Sequence, residues 1–151
     1  MGMSLLATVE LGSDGAIEFT AIPDTGKHLM LVFYSPPASL APASFRFNAD
    51  AGANYTFGYK AVSSTVVNGA AYTSTGYGKL LSWFNSQNIS HRTYITNYSE
   101  PVPSGLFTQH STGNVAYSWG GHYNSMTPIT SLSLDVMPSG TVCSLYVITN
   151  D

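Results

Sequence analysis

The chain has 151 residues, of which 44% are hydrophobic and 13% aromatic, a composition that favours one domain with an enclosed core and excludes a disordered chain. Only 9% of the residues are charged, against roughly a quarter in typical domains, so Ser, Thr, Asn and Gly fill the polar positions. The formal net charge of −3 offers no basic face, which argues against a nucleic-acid partner. This composition is typical of β-rich virion parts, lectins and secreted sandwiches.

Short apolar runs separated by turn residues recur along the chain, and no window shows the three-and-four spacing of a helix. The pattern predicts an all-β domain over residues 1–151, a jelly-roll-like β-sandwich of about eight to ten antiparallel strands. Residues 35–42 are predicted as a loop, and residues 61–77 as a long excursion with a strand near 65–67. The remaining predicted strands are, in chain order, 5–11, 16–22, 28–34, 45–47, 54–59, 79–84, 91–98, 106–109, 130–136 and 141–148, and residues 114–123 are an aromatic, glycine-broken segment that leads to the closing hairpin.

Turn residues between neighbouring runs predict three hairpins. Residues 12–15 read Gly-Ser-Asp-Gly, residues 48–54 combine Asn, Asp and Gly, and residues 137–140 read Met-Pro-Ser-Gly, all of which suit tight reversals. The last strand, 141–148, is apolar on both faces, so we expect it in the middle of a sheet. The run 28–34 is predicted as a second central strand that is buried on both faces.

The stretch before the last turn alternates with a period of two. Thr130, Leu132, Leu134 and Val136 fall on one face of an extended strand, with polar residues mostly on the other. This alternation predicts a half-buried strand whose apolar face meets the core.

Asn48, Asp50, Gly52 and Asn54 place oxygen-bearing side chains at alternate positions around a glycine. The spacing is superficially that of a calcium loop, but only one residue is charged and no bidentate glutamate follows. We therefore interpret the four as structural turn residues whose side chains hydrogen-bond the turn.

No motif for catalysis, metal or cofactor is present. The four histidines lack the close spacing of metal ligands, no Gly-x-Ser-x-Gly occurs, and no carboxylates are paired by local spacing. Cys143 lies in an apolar strand, where a buried, unreactive thiol is expected. The sequence thus predicts no enzyme, no cofactor and no metal, while its start and its short apolar runs predict neither a signal peptide nor a membrane partner.

Aromatic and arginine side chains are the candidates for an interaction surface. The aromatic candidates lie among Asn, Ser and His, a composition that suits a sugar-stacking surface or a protein interface, although filling of the core remains the alternative. They are Trp83, Trp119 and Tyr123, together with Tyr94, Tyr98 and Tyr117. Arg46 and Arg92 both lie inside predicted strands, where an intermolecular or cross-strand pairing with a carboxylate is expected.

Two segments, a hairpin in the first half of the chain and a closing hairpin made of two stretches, together resemble a known family. Residues 45–55 read FRFNADAGANY, residues 129–134 read ITSLSL and residues 140–146 read GTVCSLY. They resemble small tailed-bacteriophage virion proteins, in which an F-N-G-D-x-G-x-N-Y hairpin is paired with a closing I-T-S-I-x-L…G-S-x-x-x-L-Y-G hairpin. Ala49 replaces the usual glycine, and Val147 stands where a final glycine is often found.

The resemblance implies a jelly-roll sandwich on a phage particle, made in the host cytoplasm. Its expected role is capsid decoration (cement): a homotrimer that binds the major capsid protein at capsomer junctions and stabilises the shell. The absence of a coiled-coil shaft favours this role. The alternative is a receptor-binding or carbohydrate-binding domain of a tail or fibre, with a glycan as its ligand.

Overall fold

The computed structural model describes residues 2–37, 44–62, 67–79, 88–112 and 115–149. These residues form strands joined by turns and loops, and none of them forms a helix that could cross a membrane. The strands are β1 (Gly2–Glu10), β2 (Gly15–Phe19), β3 (His28–Ser35), β4 (Ser44–Phe47), β5 (Tyr55–Val62), β6 (Val67–Thr75), β7 (Gly78–Lys79), β8 (Ile89–Thr96), β9 (Ser104–Thr112), β10 (Val115–Tyr123), β11 (Leu132–Met137) and β12 (Val142–Thr149).

The strands form two antiparallel sheets. The large sheet has eight strands in the order β1-β12-β3-β8-β9-β10-β5-β6, and the small sheet has four in the order β2-β11-β4-β7. A core that both sheets contribute to is fully buried between them. The protein is therefore an all-β sandwich of jelly-roll type, as the sequence predicts, although the described residues contain twelve strands rather than eight to ten.

Two of the twelve strands lie in or next to the stretch that the sequence made hardest to interpret. Val67–Thr75 and Gly78–Lys79 form β6 and β7, where small residues leave no clear apolar alternation. The predicted loop 35–42 and the predicted strands 65–67 and 79–84 fall largely outside the described residues.

All three predicted hairpins are wrong in their pairing, although their turns are placed correctly. The strands on either side of each turn belong to different sheets: β1 and β2, β4 and β5, and β11 and β12. Each turn is thus an arch across the sandwich. The cause is that the apolar faces of the two strands meet each other across the core, while hydrogen bonds are made to strands distant in sequence.

The arches at residues 12–15 and 137–140 lie side by side and are joined by hydrogen bonds. Gly140 has φ +78°, and its amide donates to the carbonyl of Leu11 at 2.6 Å. The amide of Ser139 donates to Asp14 Oδ1 at 2.7 Å. Residues 12–15 and 137–140 therefore close one end of the sandwich together.

The two strands that the sequence predicts as central, β12 and β3, both lie inside the large sheet. The first pairs with β1 and β3, which confirms that the last strand lies inside a sheet. The second pairs with β12 and β8, and Leu29, Leu31 and Phe33 are buried against the core. Tyr34, however, is 47% exposed, so the predicted burial of this strand on both faces is wrong at its end.

The alternation predicted for 130–136 holds only in part, because a register shift separates Leu134 from Met137 in the pairing with β2. Leu132 and Leu134 are buried, but Val136 is 52% exposed and Met137 takes the inward position. A bulge of this kind moves one side chain to the opposite face, which a strict period of two does not anticipate.

Candidate functional site

The candidate site is the outer face of the large sheet, the side turned away from the small sheet. On β8 the side chains alternate strictly: Ile89, His91 and Thr93 are buried, whereas Arg92 and Tyr94 are exposed. Because the small sheet packs on the inner face, the described strands leave the outer face open to solvent. This face therefore presents side chains from many strands on one surface.

One row across this face is apolar. The strand registers align Leu5 with Tyr146, Tyr146 with Met30, Met30 with Tyr94, and Tyr94 with Phe107. We call these five residues the aromatic row. Leu5, Tyr94 and Phe107 are 55%, 39% and 49% exposed, although the burial of a large apolar side chain lowers the free energy of the protein. Met30, in the middle of the row, is only 9% exposed, so the exposed apolar groups lie on either side of it, with Leu5 on one side and Tyr94 and Phe107 on the other. Exposed apolar groups of this kind are typical of an interaction surface.

The neighbouring row is polar and borders a groove. The registers align Val32 with Arg92, Arg92 with Gln109, Gln109 with Ser118, and Ser118 with Lys60. These side chains and those of the next row line a groove of about 420 Å³. That volume falls within the range of roughly 300–1,000 Å³ that is common for small-molecule sites.

The groove carries positive charge without a compensating carboxylate. Arg92 and Lys60 line it, and none of the acidic residues that the structure describes does. Within the described residues Arg92 forms no ion pair, and the salt bridge found there is Arg46 with Asp135. The groove therefore suits an anionic group, in a protein whose net charge is negative.

Arg46 has a structural role on the small sheet. Its Nη1 lies 3.5 Å from Asp135 Oδ1, and its Nε donates to the carbonyl of Gly76 at 3.2 Å. Asp135 also accepts a hydrogen bond from the Ser44 hydroxyl. The predicted cross-strand pairing with a carboxylate is therefore confirmed for Arg46, which does not line the groove. Arg92, on the outer face, has no such pairing among the described residues.

Three of the predicted aromatic interaction residues, Trp119, Tyr123 and Tyr98, are buried, so this assignment is wrong for them. Trp119 is 3% exposed on the inner face, where its ring lies 4.6 Å from that of Tyr59. Tyr123 is 1% exposed, packs 4.9 Å from the Tyr55 ring, and donates its hydroxyl to Asp50. Trp83, also predicted, lies outside the described residues.

The predicted turn residues form the joint between β4 and β5. Asp50 Oδ1 accepts from the amide of Gly52 at 2.7 Å, and its Oδ2 accepts from Asn54 Nδ2 at 2.8 Å and from the Tyr123 hydroxyl at 3.0 Å. The hydrogen bond from Asn54 is the main cause that lowers the pKa of Asp50, with the bonds from Gly52 and Tyr123 adding to it against desolvation. The structural interpretation of this turn is confirmed.

Asn48 connects this turn to the second resemblance segment. Its Nδ2 donates to the Pro128 carbonyl at 2.8 Å, and its Oδ1 accepts from the amides of Thr130 and Ser131 at 2.8 and 3.1 Å. Beyond it, β4 pairs with β11, with Phe47 opposite Leu132. The two segments that carry the family resemblance therefore form one hydrogen-bonded unit.

The other candidate groups are enclosed. Cys143 is fully buried, which confirms its predicted burial, and burial raises the pKa of its thiol to about 12. His91 is buried, stacks on Phe33 at 4.3 Å and contacts Thr93 Oγ1 at 2.7 Å. The described residues contain no group of three or more His, Cys, Asp or Glu side chains that could hold a metal ion.

The sequence did not single out Phe107, Lys60 or Gln109. On β9, Phe107 and Gln109 alternate with Leu106 and Thr108, and this alternation is the signal that separates outward from inward positions. Leu106 and Phe107 are both large and apolar, so the sequence alone does not say which of them faces the core.

No protein-family model and no curated protein matches the chain. Among solved structures, it is similar to a tetrameric galectin from Cinachyrella sp. (ball sponge), with 12% identity over 89% of this chain and 99% of that one and a TM-score of 0.38. It is also similar to a human SPRY domain, with 13% identity over 100% of both chains and a TM-score of 0.35. These scores are too low to say anything about what the protein binds.

Proposed function

We propose that this protein is a structural component of a tailed-bacteriophage particle, a capsid decoration protein that docks on the shell through the aromatic row. The observation that carries the proposal is the exposure of apolar side chains in this row of the large sheet, with the neighbours Tyr94 and Phe107 39% and 49% exposed. Aromatic side chains of this kind contribute most to protein interfaces. The partner would be the major capsid protein.

The segments that resemble virion proteins support the same proposal. They lie in different parts of the sequence, yet Asn48 and the β4–β11 pairing join them into one unit. A surface with few charges adds support, because docking on a shell then leaves few unpaired charges to be buried.

The mechanism would be thermodynamic. A protein that binds the assembled shell and not the separate capsomers stabilises the shell by mass action. Burial of an apolar side chain contributes roughly 1.5–3 kcal/mol, and a homotrimer would add such contributions through avidity. No chemical step is required.

The test compares the disassembly temperature of shells with the wild-type protein and with Phe107→Thr, which removes the ring and places a residue of high strand propensity on β9. We expect the wild type to raise the disassembly temperature and the variant to bind at least about tenfold more weakly. Val136→Thr is the matched control, because Val136 is also exposed (52%) but lies on the small sheet.

Equal protection by the wild type and Phe107→Thr would rule out docking through the aromatic row. If the wild type has no effect on the disassembly temperature, the decoration role itself is wrong. The solution mass of the purified protein tests the trimer.

A receptor-binding or carbohydrate-binding domain is the second candidate, and the groove is the specific observation that favours it. Trp119 is buried and offers no stacking platform, but Tyr34 is 47% exposed and stands opposite Ser90 at the groove. A glycan array with the purified protein tests this candidate, and an array without any signal would contradict it.

A further inference from the structure

We infer that the groove binds a saccharide through an anionic substituent, with Arg92 as the group that recognises the charge. The inference rests on the second candidate function and names its ligand class. It does not depend on docking through the aromatic row, whose residues lie in the neighbouring register row of the same face.

The charge of the groove selects an anion. Arg92 and Lys60 stand on β8 and β5 with Gln109 and Ser118 between them in register. Neighbouring strands in a sheet are roughly 4.8 Å apart. Three such spacings separate the two basic residues, so their backbone positions are about 14 Å apart across the sheet, on opposite sides of the groove. A guanidinium binds a carboxylate or phosphate through two parallel hydrogen bonds, and Arg92 has no ion-pair partner among the described residues to compete for it.

Glu10, a described acidic residue, lies too far away to neutralise the groove. Glu10 shares the outer face, but its row reaches Ser90 only after Val142 and Tyr34, a separation of roughly 14 Å at the spacing of strands. That distance exceeds the Debye length of about 8 Å at physiological salt. The field of the two basic residues is therefore available to a ligand.

The remaining lining suits the body of a sugar. Ser90, Gln109 and Ser118 present hydroxyl and amide groups, which exchange hydrogen bonds with sugar hydroxyls in either direction. Tyr34 does not line the groove, but it pairs with Ser90, which does, and it is 47% exposed. An exposed aromatic ring beside the groove suits the C–H side of a sugar. Together these features fit a saccharide better than a bare inorganic anion.

The experiment measures binding by calorimetry and ligand-observed NMR with matched pairs of probes. Sialyllactose is compared with lactose, and glucuronic acid with glucose, while glucose 6-phosphate distinguishes a phosphate from a carboxylate. We expect each anionic probe to bind at least about tenfold more tightly than its neutral partner, and this preference to shrink as salt is raised.

Variants locate the interaction. Arg92→Gln should remove the preference for the anionic probe, and Lys60→Gln should weaken it less. Lys27→Gln is the matched control, since Lys27 is exposed and does not line the groove; it should change the affinity less than about twofold, because it removes the same charge beyond the screening distance.

The outcomes separate the inference from the function on which it rests. Equal binding of the neutral and anionic probes overturns the inference and leaves a saccharide-binding function standing. Failure of all saccharides to bind overturns both, and so does a preference for an acidic peptide such as tetraglutamate, which would identify a protein partner. If Lys27→Gln loses binding to the same degree as Arg92→Gln, the inference is also overturned, because the loss would then follow from the net charge of the protein and not from the position of Arg92.

Discussion

Replacement of Asn48 by alanine tests whether the joint between the two resemblance segments stabilises the fold. Asn48 has a φ of +52°, in the left-handed region that asparagine tolerates and alanine does not favour. Its side chain makes four hydrogen bonds: Nδ2 to the Pro128 carbonyl, and Oδ1 from the Thr130 amide, the Thr130 hydroxyl and the Ser131 amide. The substitution removes all four and leaves the backbone strained.

The size of the effect follows from these two contributions. The left-handed conformation costs alanine about 1 kcal/mol relative to asparagine. The lost hydrogen bonds add about 1–2 kcal/mol in total, less than four full bonds, because water replaces those to the exposed Thr130. The free energy of unfolding should therefore fall by about 2–3 kcal/mol, which for a chain of this length lowers the melting temperature by roughly 4–12 °C.

Urea unfolding followed by fluorescence and circular dichroism measures the loss. Asn48→Asp keeps the acceptor oxygen and tolerates the same φ, so it should lose only about 1 kcal/mol. Asn124→Ala is the control, because Asn124 is exposed and no hydrogen bond of its side chain is seen among the described residues. A loss below about 0.5 kcal/mol in Asn48→Ala would refute the reasoning, since that is the level of ordinary surface changes.

Three further predictions concern Ala49 and Asp50 in the same turn and the buried Cys143. Ala49 has a φ of +54°, so Ala49→Gly should raise the free energy of unfolding by up to about 1 kcal/mol; a loss of stability in urea would contradict this. Hydrogen bonds lower the pKa of Asp50 below 3.8, so their stabilising effect is present above that pH and is lost as the pH falls through the native pKa. Stability measured at pH 5.5 and 2.5 should therefore fall less in Asp50→Asn than in the wild type, and equal losses would count against this role. Burial encloses the Cys143 thiol and raises its pKa to about 12, so a thiol reagent should react with unfolded but not native protein; rapid labelling of the native protein would disprove burial.

The turns show which features of the fold a short stretch of sequence can predict. Residues 12–15, 48–54 and 137–140 were correctly identified as reversals, because glycine, proline and Asx residues have backbone preferences that act within a few positions. Their strands nevertheless pair with partners distant in sequence, as β12 does with β1 and β3. A reversal suits both a hairpin and an arch, and the choice depends on which faces meet across the core.

The aromatic residues show the same limit for the site. Trp119 and Tyr123 have the composition of a binding surface, yet both face inward, whereas Phe107 and Tyr94 face outward. Alternation along a strand says that neighbouring side chains point to opposite faces, but not which face is covered. The position of Arg92 in a groove likewise depends on the register of β8, β9, β10 and β5.

The sequence by itself determined the β class, the positions of most strands and turns, the burial of Cys143 and the structural role of the Asn48–Asn54 turn. These properties follow from side-chain polarity and backbone preference over a few residues. Only the tertiary structure decided the division into sheets of eight and four strands, the arches and the composition of the outer face. Those features depend on contacts between residues far apart in the chain, which local patterns do not encode.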